Sequence, residues 1–269
     1  MNRAIRPPKA YKNLEFLTSP QARSIRILSE FLEPLNRFKQ EGIKDTIVVF
    51  GSARVKPKSE SLKHLKSIET KMKKARDNSK SLRKQFEEAK LSCEVSSYYE
   101  DAVKLSYLLT MWSKTIKNNR RYVICSGGGP GIMEAANKGA IKAGGRSIGL
   151  NISLPFEQDS NRYLSKGLSF EFHYFFMRKF WFVYLAKALI MFPGGFGTLD
   201  EFMEVLTLIQ TKKVNKKMPI ILYGKKYWDE IINFKALVKY KMISKTDLKL
   251  FRYADSPNEA FQYLKNALT

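Results

Sequence analysis

The chain has 269 residues, 44% hydrophobic and 13% aromatic, and 48 basic against 25 acidic side chains give it a formal net charge of +23. That apolar content supports a substantial core and excludes a disordered chain, while the charge points toward anionic partners. Two cysteines, Cys93 and Cys125, and two histidines, His64 and His173, exclude a disulfide framework and leave no spacing for a zinc site.

Residues 1–45 are expected to form a helical N-terminal extension, and Met1–Asn13 is basic without the apolar run of a signal peptide. Residues 46–269 read as one α/β domain. Its predicted strands are Thr46–Phe50, Tyr122–Cys125, Ser147–Ile152, Ala188–Phe192 and Pro219–Tyr223, each a continuous apolar run of the kind buried on both faces of a parallel sheet. Helical patterns fall at Tyr98–Lys117, Gly131–Ala143, Phe175–Lys187, Thr198–Gln210 and Tyr227–Tyr240. The alternation predicts a doubly wound, Rossmann-like, mostly parallel sheet with helices on both faces. Phe170–Phe192, the most apolar stretch, is interrupted by Glu171, His173, Arg178, Lys179 and Lys187. No membrane helix is therefore expected, and the protein is expected in the cytoplasm.

One segment breaks the alternation. Arg54–Lys90 holds 13 basic and 5 acidic residues, and small or apolar side chains recur in it at Leu65, Ile68, Met72, Ala75, Ser79, Leu82, Phe86 and Ala89. This heptad-like seam predicts a Lys-rich helical insertion over residues 55–95, packing along one face or across a dimer. Interleaved aromatics and arginine clusters are missing, so lysines on a solvated helix face are the ordinary explanation and a nucleic-acid partner is not expected. Lys212–Lys249, with 11 basic and 3 acidic residues, is read in the same way.

Doubly wound sheets bind ligands at the carboxyl ends of their strands, and three such ends here are glycine-rich. They read Gly51-Ser52-Ala53-Arg54, Ser126-Gly127-Gly128-Gly129-Pro130-Gly131 and Pro193-Gly194-Gly195-Phe196-Gly197-Thr198. Glycine lets backbone approach a ligand, and a following helix N-terminus offers amides and a positive dipole end, so the natural ligand is a phosphate. A dinucleotide fingerprint is not met, because Ile132 stands where its third glycine belongs and the next strand ends at Asn151 rather than at an acid. No P-loop is present either.

The third loop continues through Leu199-Asp200-Glu201, which places carboxylates in the predicted first helical turn, and Met177-Arg178-Lys179 precedes it. This combination resembles the Lonely Guy (LOG) family, once labelled lysine decarboxylases and marked by PGGxGTxxE. Ser126–Ala140, Ile148–Gln158, Phe172–Phe180 and Pro193–Gln210 resemble its longer bacterial branch. The resemblance implies a cofactor-free nucleoside 5′-monophosphate phosphoribohydrolase, with AMP or a cytokinin riboside monophosphate as substrate, and a homodimer with its site near the interface. It implies Arg178 and Glu201 as the catalytic pair. Glu157, Lys179, Gly194, Gly195, Phe196, Gly197, Thr198, Leu199, Asp200 and Thr207 would contact the nucleotide, and the loops carrying Ser52, Gly128, Gly129 and Gly131 would serve its phosphate. Glu134 replaces a residue that is usually glycine in the shorter cytokinin-activating members, which makes AMP at least as good an expectation.

Other readings set against this one are a non-catalytic nucleotide or alarmone sensor on the same fold, and a true lysine decarboxylase. The latter needs a Schiff-base lysine with an acidic partner for the cofactor ring, and no such constellation stands out. A carboxylate beside the anomeric carbon suits an oxocarbenium-like transition state, and the helix dipole is expected to keep Glu201 ionised. Cys125 and His173 read as packing residues.

Overall fold

The structure is a computed structural model that describes residues 7–74, 80–116, 120–155 and 160–269. Helices α1 (Leu14–Thr18) and α2 (Arg23–Gln40) precede β1 (Thr46–Phe50). Then come α3 (Lys58–Lys74), α4 (Lys80–Val95), α5 (Ser97–Thr115), β2 (Val123–Ser126), α6 (Ile132–Lys142), β3 (Ser147–Ile152) and β4 (Ser169–Phe172). The chain continues through α7 (Phe175–Tyr184), β5 (Ala186–Met191), α8 (Phe196–Gln210), β6 (Ile220–Tyr223), α9 (Lys225–Ile231), α10 (Phe234–Lys239), β7 (Arg252–Ala254) and α11 (Pro257–Leu268).

The seven strands form one parallel sheet in the order β4-β3-β2-β1-β5-β6-β7. Successive side chains of β1 point to opposite faces, and both faces are covered. Val48 and Phe50 enter a core built with Phe38 of α2, Met177, Trp181 and Phe182 of α7, Phe202 and Val205 of α8 and Trp228 of α9. Ile47 and Val49 enter a second core with Leu105 and Leu109 of α5, Ala135 and Ala140 of α6 and Leu264 of α11. This two-sided burial is why the central strands read as unbroken apolar runs. Strand order reverses beside β1, so a crevice opens between the carboxyl ends of β1 and β5.

Two strands that periodicity passes over, β4 and β7, lie at the two edges of the sheet. Tyr227–Tyr240, expected as one helix, is broken into α9 and α10, with the Asn233 side chain accepting from the Ala236 amide at 2.9 Å to start the second. The heptad-like seam of the insertion is divided between two helices. Helices α3 and α4 pack against each other, with Ile68 and Ala89 buried and the Ser61 and Ser92 hydroxyls 3.3 Å apart. Ala75 and Ser79 of that seam lie outside the described residues.

Opposite the crevice, Tyr122 enters β2 with a left-handed φ of 55°. Buried Asp45 accepts its amide and pairs with Arg121 at 2.9 Å, while its ring stacks on Trp112. No helix among the described residues is long and apolar enough to cross a membrane.

Candidate functional site

The three glycine-rich loops meet at the crevice, but they are not equivalent. Ser52 donates its amide to Pro193 O at 2.9 Å and accepts from the Ile132 amide at 3.0 Å, which stitches the first loop to the other two. In the second loop, the Gly128 amide goes to Ser126 Oγ at 3.1 Å, and the Asn161 side-chain amide binds Gly128 O at 2.9 Å and Gly129 O at 3.0 Å. A Cβ on Gly131, whose φ is 70°, would strike Ser52 O at 2.4 Å. Gly128, Gly129, Gly131 and Ser52 thus also hold the loops to one another, an architectural role beside the phosphate-binding one expected of them.

The open corner is the third loop. α8 begins at Phe196, two residues before the predicted start, so the exposed stretch Gly195–Gly197 forms its N-terminus. The Phe196 and Gly197 amides, first in the helix, have no carbonyl a turn back to bind. Phe196 is 92% exposed. Gly194 is glycine because a Cβ there would meet Thr198 Oγ1 at 2.1 Å, whereas a Cβ on Gly195 or Gly197 would meet nothing within 4 Å. Leu199 packs its side chain against the core.

The early helix start also moves the carboxylates. Asp200 and Glu201 sit in the second turn of α8, beyond the amides that carry most of the dipole effect. Glu201 points inward with its side chain 4% exposed, facing Arg178 Nη2 of α7 at 4.0 Å. Arg178 lies over the rings of Phe175 and Phe182, at 5.2 and 5.6 Å. Neither Glu201 Oε2 nor Arg178 Nε has a protein partner, although both are buried. Burial pushes the Glu201 carboxyl up to about 7, against the downward pull of Lys179 and Arg178. The first-turn placement expected of Glu201 is therefore not met, and desolvation opposes its ionised form. Burial likewise lowers the pKa of Arg178.

Lys179 is committed elsewhere, to Asp200 Oδ2 at 2.7 Å and Glu204 Oε2 at 2.8 Å. With Met203, Thr207 and Leu208 these three residues line an open groove of about 480 Å³. The Thr207 hydroxyl donates to Met203 O at 2.8 Å within α8. Glu134 lies on α6 and accepts from the Tyr99 hydroxyl at 2.9 Å, so its carboxylate is occupied on the α5 side. His173 is exposed and packs edge-on against Tyr174. Glu157 lies outside the described residues.

Three contributors escape sequence reading: Glu204, Asn161 and Glu30. Glu30 of α2 accepts from the His173 amide at 2.7 Å and the Tyr174 amide at 3.2 Å, which seats the start of α7 and with it Arg178. Glu204 had a signal, its i, i+4 spacing from Asp200. The other two act across long sequence separations and had none. Among the described residues, no group of three His, Cys, Asp or Glu side chains is placed to hold a metal ion.

An α/β protein with a buried Arg–Glu pair beside an open helix N-terminus is the class these features define. Residues 133–264 match the family described as possible lysine decarboxylase, also called LOG. Among curated proteins none matches the sequence. Solved structures similar to it include TM1055, a structural-genomics target, at 20% identity over 82% of this chain and 99% of that one, with a TM-score of 0.49. A molybdenum cofactor binding protein from the phototrophic bacterium Rippkaea orientalis is 22% identical over 64% of this chain and 88% of that one, TM-score 0.45. A Moco carrier protein from Chlamydomonas reinhardtii is 18% identical over 84% and 98%, TM-score 0.45.

Proposed function

We propose that the protein hydrolyses the N-glycosidic bond of a nucleoside 5′-monophosphate, releasing the base and ribose 5-phosphate. The observation that carries this reading is Glu201 Oε2, buried without a partner while Oε1 faces Arg178, next to an open helix N-terminus. A buried polar atom without a partner is rare in a folded protein and calls for a ligand or a catalytic role.

In this reading the 5′-phosphate binds the α8 N-terminus, where the amides of Phe196 and Gly197 and the dipole favour an anion. The C1′–N bond breaks as positive charge grows on the ribose, and Glu201 stabilises that charge. Water then bonds to C1′ through its oxygen. One of its protons passes to the departing base, with Glu201 placed to accept and return a proton because its pKa lies near neutrality. Arg178 holds the carboxylate side on and shields it from solvent. The phosphate supplies binding energy remote from the bond that breaks.

The test is incubation with a panel of nucleoside monophosphates, reading free base by chromatography, with adenosine and a chelator as controls. Base should be released from at least one monophosphate and not from adenosine, and the chelator should have no effect. Equal turnover of AMP and adenosine, or loss of activity on chelation, overturns the mechanism. Binding without turnover of any monophosphate would identify a nucleotide sensor instead.

A further inference from the structure

The charges near Glu201 are arranged in two layers. Arg178 approaches it at 4.0 Å, and beyond lies Lys179, shared between Asp200 at 2.7 Å and Glu204 at 2.8 Å. One carboxylate suffices to tie a lysine of α7 to α8. A second, one helical turn along the same face, repels the first and loses part of its hydration, so a purely structural staple gains little from it. What the second carboxylate changes is the local charge. A lysine between two carboxylates leaves one negative charge in excess, and that excess offsets Arg178. Among the described residues, the charged groups acting on Glu201 are Arg178 and Lys179 from α7 and Asp200 and Glu204 from α8, and their effects oppose one another.

We infer that Glu204, through its ion pair with Lys179, is a positioning residue that sets the charge on Glu201 and therefore the pH range in which the site works. Glu204 lines the groove beside Asp200 and acts on Glu201 through charge, its own ion pair being with Lys179. It shares Lys179 with Asp200, so part of the ammonium's pull on Glu201 is offset by the carboxylates that hold it. Loss of Glu204 leaves the cations in excess and favours the carboxylate, whereas loss of Lys179 favours the acid. This inference rests on the hydrolase reading for its activity readout, though not for its geometry.

The experiment compares pH–rate profiles of wild type, Glu204→Gln, Asp200→Asn and Lys179→Met on the monophosphate that the panel selects. The rate should rise with pH as Glu201 ionises. The midpoint of that rise should move down by about one unit in Glu204→Gln and up by about one unit in Lys179→Met. Asp200→Asn should move it in the same direction as Glu204→Gln. Damage to packing alone would lower the rates without moving midpoints in opposite senses. Unmoved midpoints, or shifts of one sign in all variants, overturn the inference. If Lys179→Met does not fold, the two carboxylate variants decide: downward shifts support the device and unmoved midpoints reject it. Should wild type hydrolyse no monophosphate, the hydrolase reading fails by itself. The same midpoints are then read from the Glu201 carboxyl carbon by NMR, assigned with Glu201→Gln, and the same opposite shifts are required.

Discussion

Glu201 carries a cost that can be measured without any substrate. Burial disfavours the ion and pushes its carboxyl up to about 7, against 4.5 for a free side chain. Between those two values the folded state keeps a proton that the unfolded chain has released, so stability falls as pH rises across that window and stays low above it. The full effect is on the order of 3 kcal/mol. Glu201→Gln removes it, so this variant should melt above wild type at pH 8, with the difference shrinking toward pH 4.5. Calorimetric scans at several pH values check this. The same substitution should slow hydrolysis by roughly 10²–10³-fold, mainly in kcat, as expected when one preorganised electrostatic contribution is lost. A Glu201→Gln protein that turned over near the wild-type rate would remove Glu201 from the mechanism.

Among the elements, α7 matters most because it presents Arg178 and Lys179, and it is held at both ends. Glu30 accepts amides at its start, while Lys216 donates to Val183 O and Tyr184 O at its end, an anion and a cation placed to suit the helix dipole. Glu30→Ala leaves the His173 and Tyr174 amides without their acceptor and should cost about 1–2 kcal/mol in urea unfolding. It should also lower kcat/KM, since Arg178 loses its seat. Elsewhere the helix ends leave room for improvement. Lys212 after α8 and Lys241 after α10 have left-handed φ angles of 57° and 61°. Glycine fits that position without strain, and either Lys→Gly change should raise stability by about 0.5–1 kcal/mol.

What was legible at this scale followed burial. β1 and β3 match their predicted spans because every or nearly every residue in them is buried. β4 alternates exposed and buried residues over four positions and β7 has three residues in all, too short for a period to register. The start of α8 was missed because Gly195-Phe196-Gly197 reads as loop, yet the helix runs through Gly197. The Arg178–Glu201 pairing was implied by the family resemblance, and the two side chains do face each other. Its electrostatics were not legible, since desolvation depends on the enclosing tertiary structure and not on neighbours in sequence.

At the scale of the whole molecule, the polar site opens beside an apolar surface. Phe175, Phe176, Phe180 and Tyr184 of α7 are exposed, and so are Ile25, Leu28 and Leu32 of α2, with Phe31 of α2 meeting Phe180 at 5.5 Å. Exposed apolar side chains gathered in this way mark an association surface, and we propose that a second copy of the chain covers them, which would bring two sites close to one interface. Phe180→Glu should then shift the mass measured by light scattering from dimer to monomer and reduce hydrolysis. An unchanged mass would place the contact elsewhere. The α3–α4 hairpin joins the sheet through α5, away from Glu201. Replacing Lys63, Lys66 and Lys73 with glutamine should leave hydrolysis nearly unchanged, and salt-sensitive binding of RNA or DNA that weakens with each replacement would contradict that view.

The contrast between Gly194 and its two neighbours separates what the fold requires from what the task requires. Alanine at 194 collides with the protein itself and should unfold the corner. Alanine at 195 or 197 collides with nothing in the chain, and at 197 it improves helix propensity by up to about 1 kcal/mol. If these two positions stay bare to admit a phosphate, then a library selected for heat resistance alone should drift to alanine there and lose nucleotide binding as it gains stability. A library selected for turnover should keep both glycines. The residues that such a selection discards first would mark the outline of the phosphate's seat.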